Sequence, residues 1–116
     1  MQKGLLTMLR IYQVGLDMVP RVRVLTDAIA QFDRDQARQL RRSWLSVPLN
    51  VAEGSGCSDG TRRQRYKDAL GSARETLANL ECAHAAEYIE PLDDELRRRF
   101  AHIIGVLVTC AYPWGA

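Results

Sequence analysis

The chain's apolar spacing predicts an all-α fold, an antiparallel up-down-up-down four-helix bundle. Apolar residues recur at steps of three and four in four successive stretches, the period of a helix with one buried face. No stretch alternates apolar and polar residues between strand-type turns. The breaks between stretches are short, so neighbouring helices must run antiparallel and cover one another.

The first helix is expected over about residues 5–32. Leu9, Tyr12, Leu16 and Val19, then Val22, Leu25, Ile29 and Phe32, would form its face, with a kink or break at Pro20, which lacks an amide hydrogen. Asp33 with Gln36 reads as a reciprocal cap that opens a second helix over residues 34–54. That helix has one apolar row at Leu40, Trp44, Val47 and Val51, and an offset row at Leu45, Leu49 and Ala52. Two rows need cover from the bundle or from another subunit. The glycine-rich stretch GSGCSDG, residues 54–60, ends it.

Thr61 with Gln64 suggests another capping box and a third helix over residues 61–88, with a seam at Tyr66, Leu70, Ala73, Leu77, Leu80, His84 and Glu87/Tyr88. Ala69, Gly71, Ala73 and Ala83 on it would permit close helix approach. Pro91 suits a first helical position, so the fourth helix is expected over residues 91–111, with Asp93, Asp94 and Glu95 in its first turn and Leu92, Leu96, Phe100, Ile103, Leu107 and Cys110 facing inward.

With 116 residues, the chain suits one domain, residues 1–116, rather than two. The run from Ile103 to Tyr112 is too short for a bilayer, which takes about 20 apolar residues. Residues 1–20 lack a leader's pattern because Arg10 and Asp17 interrupt the apolar part. No membrane association and a cytoplasmic location are therefore expected. Cys57, Cys82 and Cys110 are odd in number and widely spaced, which points to reduced thiols rather than a disulfide framework or a zinc pair.

The net charge of +2 conceals a gradient: residues 33–67 carry eight Lys/Arg against four acids, and residues 68–116 carry four against eight. This permits an anionic partner, or contact between the basic part of one subunit and the acidic part of another.

The segment LRRSWLSVPLNVAEG at residues 40–54, followed by ALGSARE at residues 69–75, resembles the bundle proteins encoded in intervening sequences of bacterial 23S ribosomal RNA genes. These are relatives of the accessory variability protein of diversity-generating retroelements. The matching positions are Arg41, Arg42, Ser46, Pro48, Asn50, Ala52, Glu53 and Gly54, then Ala69, Gly71, Ser72 and Glu75. The resemblance implies a cytoplasmic homo-oligomeric ring, commonly a pentamer. In the retroelement relatives it implies a basic surface that binds nucleic acid and a reverse transcriptase.

Read from the residues, Pro48 leaves the Trp44 carbonyl without its amide partner, and Ser46 and Asn50 could meet groups nearby. Asn50 and Glu53 share a face beside Gly54; facing Ser72 or Glu75 they would lock two helices together, and Glu53 could instead hold Arg41, Arg42 or an arginine of another subunit. Glu53 and Glu75 lack the histidine and pocket that acid/base catalysis asks for. Glu81 and His84 form only half of a di-metal bundle site. No cofactor is called for, and GSGCSDG lacks the phosphate-loop ending.

Arg34, Arg38, Arg41 and Arg42 on the second helix, and Arg62, Arg63, Arg65 and Lys67 at the start of the third, are the candidate contacts to RNA, DNA or a protein partner. Without a single-strand aromatic platform, binding through them would be largely independent of sequence. The expected function is a non-enzymatic oligomeric scaffold or adaptor with nucleic acid or a reverse transcriptase as partner. The alternatives are a purely structural interaction bundle and a metal-dependent enzyme.

Overall fold

The computed structural model describes the backbone of residues 3–115 and the side chains from Leu6 onward; residues 1, 2 and 116 of the expected domain lie outside it. Four helices follow one another: α1 (Lys3–Ala30), α2 (Arg34–Ser55), α3 (Asp59–Ala85) and α4 (Asp94–Ala111). Each packs on its neighbours in the order α1–α2–α3–α4 and back to α1, giving an up-down-up-down bundle of 44 × 25 × 25 Å. The pairs α2–α3 and α1–α2 pack most extensively, and α1–α4 least.

In α1 the buried residues are Met8, Ile11, Gly15, Met18, Val22, Thr26 and Ile29. This corrects the expected stripe: Leu9, Leu16 and Phe32 are exposed. The observed stripe mixes steps of three and four from Met8 to Ile29 and keeps its phase through Pro20, whereas the expected one takes three successive steps of three there, from Leu16 to Leu25. α1 is also continuous at Pro20, whose ring sits on the exposed side, where solvent can meet the freed carbonyl. The helix stops at Ala30, and Phe32 stacks on Tyr88, with centroids 4.9 Å apart.

Asp33 caps α2 by accepting from the Gln36 amide at 2.9 Å. The cap is not reciprocal, because the Gln36 side chain reaches α3 and donates to the Asn79 carbonyl and side-chain oxygens at 3.2 and 3.0 Å. Leu40, Trp44, Val47 and Val51 are buried, and the Trp44 indole meets Phe100 edge to face at 5.3 Å. Among the described residues the Trp44 indole N–H is a buried donor with no acceptor, a cost of about 1–3 kcal/mol.

The α2–α3 connection is short, residues 56–58. Thr61 is therefore inside α3 and caps nothing; Ser58 holds the N-cap position without a side-chain bond, and Gln64 turns to Asp68. α3 buries Tyr66, Ala69, Leu70, Ala73, Thr76, Leu80 and Ala83. Gly71, His84 and Glu87 are exposed and fall outside the seam. Glu87 adopts φ 65°, and the Glu87 and Tyr88 amides donate back to the His84 and Ala83 carbonyls, both at 2.9 Å. This is the two-bond closure of a left-handed helix end.

Pro91 precedes α4 instead of opening it, because Asp93 takes the cap and accepts from the Leu96 amide at 2.8 Å. Leu92, Leu96, Phe100, Ile103 and Leu107 are buried as expected, with Cys110 half-buried. Among the described residues, no helix is long and apolar enough to cross a membrane.

Candidate functional site

The motif residues build the seam between α2 and α3. Ser46 Oγ lies 2.8 Å from Ser72 Oγ, and the Asn50 amide donates to both the carbonyl and the hydroxyl of Ser46 at 2.9 Å. Asn50 thus fixes the Ser46 side chain instead of serving the Trp44 carbonyl. One turn further along, the Thr76 hydroxyl lies 2.9 Å from Ser43 Oγ and 2.7 Å from the Ser72 carbonyl. With Gln36–Asn79, three small polar rungs run along the seam, each bond contributing about 1 kcal/mol.

Gly54 completes the seam by close approach: a Cβ there would lie 2.5 Å from Tyr66 Cε1. Glu53 pairs with Arg65 at 3.2 Å, not with Arg41 or Arg42. Glu75 is exposed and away from the Ser46–Ser72 contact. The conjunction Ser46, Asn50, Gly54 and Ser72 is an interhelical lock, with Pro48 buried and level with Gly15 of α1, whose added Cβ would sit 3.7 Å from the Pro48 Cβ.

The candidate basic residues form two clusters at opposite ends of the bundle, since α2 and α3 run antiparallel. At the start of α3 all four have partners inside the chain. Arg62 donates to the Cys57 carbonyl at 2.7 and 3.1 Å and to the Gly54 carbonyl at 3.3 Å, closing the end of α2. Arg65 holds Glu53, Arg63 lies over the Trp114 ring, and Lys67 lies over the Tyr112 ring, both at 5.0 Å.

Among the described residues, Arg38 is the one α2 arginine with an acidic neighbour, Asp35 at 3.4 Å, and both are largely exposed; such a pair contributes little. Arg34, Arg41 and Arg42 are exposed. Arg34, Arg38, Arg41, Leu45, Leu49 and Ala52 recur at steps of three and four and so share one flank of α2. Leu45 and Leu49, 44% and 61% exposed, form the apolar half of that flank, and the arginines form the other.

The flank continues onto α1. Arg23 and Val19 of α1 join Arg41, Trp44 and Leu45 around a cleft of about 200 Å³, and Leu9 and Leu16, which share a helical row with Arg23, are also exposed. The offset row read in the sequence is therefore left uncovered by the bundle.

Glu81 and His84 are exposed near the end of α3, where a His84 ring nitrogen lies 3.2 Å from the Ile89 carbonyl. Among the described residues, no three His, Cys, Asp or Glu side chains gather as metal ligands. The three cysteines are free thiols, and burial pushes the Cys110 thiol above its ordinary pKa.

These features define an all-helical bundle with a polar lock on one seam and an uncovered, half-apolar, half-basic face on another. The chain belongs to the 23S rRNA-intervening sequence protein family, whose model matches residues 7–109. No curated protein and no solved structure matches it.

Proposed function

We propose that the chain works as a non-enzymatic oligomeric scaffold whose α1–α2 face packs against further copies and presents the α2 arginines to a polyanion. The observation that carries this reading is the α2 flank itself. Leu45 and Leu49 stand exposed on α2, and Leu9 and Leu16 stand exposed on α1 in the helical row of Arg23, which shares a cleft with Leu45; exposed apolar side chains grouped in this way mark an interface. Arg34, Arg38, Arg41 and Arg42 continue the same helix beyond it.

Closed symmetry would repeat those arginines around an axis, turning a modest patch into a strong field. The resemblance to ring-forming bundles supports a pentamer. The family's description refers to a 23S rRNA intervening sequence, which makes RNA the first polyanion to test. The engagement of Arg62 and Arg65 inside the chain favours the α2 arginines over those two as the phosphate contacts of the assembled scaffold.

Sedimentation of the protein with and without RNA across a salt series tests both halves. A particle of several subunits is expected, reduced to a monomer by Leu45→Glu with Leu49→Glu. Arg38→Gln, Arg41→Gln and Arg42→Gln together should keep the particle and lose RNA binding, with a shallower salt dependence. A monomeric wild-type protein would overturn the scaffold, and RNA binding indifferent to the three arginines would remove the polyanion surface.

A further inference from the structure

The basic cluster at the start of α3 carries an exposed aromatic ring as well as charge. Arg63 and Lys67 are one helical turn apart, and the chain leaving α4 lays Trp114 over the first and Tyr112 over the second, each 5.0 Å from ring centroid to cation. A turn closed by the Gly115 amide on the Tyr112 carbonyl at 3.0 Å fixes this segment, with Pro113 and Trp114 at its two central positions. Proline in the first of them pre-sets its backbone angle. Trp114 nevertheless remains 71% exposed.

An indole held from one side by a guanidinium is a prepared stacking surface. A cation–π contact does not consume all five guanidinium N–H donors, so Arg63 can still donate to an anion beside the ring. The open side of the indole can accept a second flat ring, and an unpaired base combines such a ring with a neighbouring phosphate for the N–H edges. A base inside a duplex has both faces already stacked.

We propose that Trp114 and Tyr112 with Arg63 and Lys67 form a stacking site for an unpaired nucleobase of single-stranded nucleic acid, separate from the α2 arginines. Arg62, tied to the Cys57 and Gly54 carbonyls, keeps the start of α3 fixed beneath it. The polarity of the site follows from its parts: the indole face takes the base and the cation pair takes the adjoining phosphates.

Indole fluorescence tests this on the full chain, because the other tryptophan, Trp44, is buried at 2% exposure and supplies a constant background. A short oligothymidylate should quench the exposed indole, and Trp114→Ala should abolish the quench and weaken binding of a labelled oligonucleotide about tenfold. Trp114→Phe should retain most of the affinity, and Arg63→Gln should lose part of it. A duplex of equal length should quench less, and inorganic tripolyphosphate, which has charge without a base, should not quench.

Unchanged affinity in Trp114→Ala, or a quench by tripolyphosphate equal to that by the oligonucleotide, would overturn the site. The triple α2 arginine variant should leave the quench intact. Loss of the quench in that variant would overturn the separateness of the two surfaces, while an intact quench together with unchanged RNA binding in that variant sinks only the polyanion reading of α2.

Discussion

Gly54 carries more of the α2–α3 packing than its size suggests. Its missing side chain admits the Tyr66 ring, and an added Cβ would meet two ring carbons at 2.5 and 2.9 Å and the Arg65 Cβ at 3.2 Å. Tyr66 is buried at 5% exposure, so the ring cannot simply swing into solvent. Gly54→Ala should therefore destabilise the protein by about 1–3 kcal/mol in urea unfolding. Gly71→Ala is the matched control: nothing lies within 4 Å of its added Cβ, and replacing a mid-helix glycine should stabilise by about 0.5–1 kcal/mol. A stabilisation at Gly54 equal to that at Gly71 would show that helix propensity outweighs the Tyr66 contact and that the close approach carries no cost. The polar lock was partly legible from residue types, since small hydroxyl and amide groups on facing helices suit one another. Glu75 was not separable from Ser72 by that reasoning, because three residues along a helix fixes a shared side but not which member reaches across.

At the level of elements, α2 and its apolar row followed from spacing and a cap, while the expected stripe of α1 is displaced by one residue before Pro20 and correct at Val22 and Ile29 after it. α1 has apolar residues on several sides, among them Leu9, Ile11, Tyr12, Val14, Leu16 and Met18, so more than one stripe satisfies a helical period. The unbroken series Met8, Ile11, Gly15, Met18 and Val22 was the better signal, but it required treating a glycine as a core position. Helix ends were missed where chemistry was unusual. The stop of α3 uses Glu87 at φ 65°, although a residue with a Cβ is disfavoured there by roughly 1–2 kcal/mol. Because the Glu87 carboxylate is exposed and only its backbone closes the helix, Glu87→Gly should raise stability by up to about 1 kcal/mol, read as a higher melting temperature. A lower one would mean that the glutamate side chain supports the turn.

Across the whole molecule, the bundle is unevenly closed. The lock and Gly54 bind α2 to α3, whereas α1 and α4 touch least, and Arg21 spans that seam to Asp93 at 2.7 Å and Glu95 at 3.6 Å. Asp93 has two tasks, since it also caps α4. The Leu96 amide first, and the Arg21 guanidinium second, hold its carboxyl below the ordinary aspartate value of 3.8. A carboxyl depressed in the folded state stabilises above its unfolded pKa, and that contribution disappears as pH falls through the lower folded value. The α1–α4 seam should consequently loosen first in acid, with amides in the opening turn of α4 losing hydrogen-exchange protection before those of the α2–α3 seam. Asp93→Asn retains an oxygen that can accept from the Leu96 amide but has no charge to titrate, so its protection at neutral pH should be somewhat lower and its acid dependence flatter. If the variant and the wild type loosen over the same acid range, another carboxyl governs the transition and Asp93 serves only as a cap.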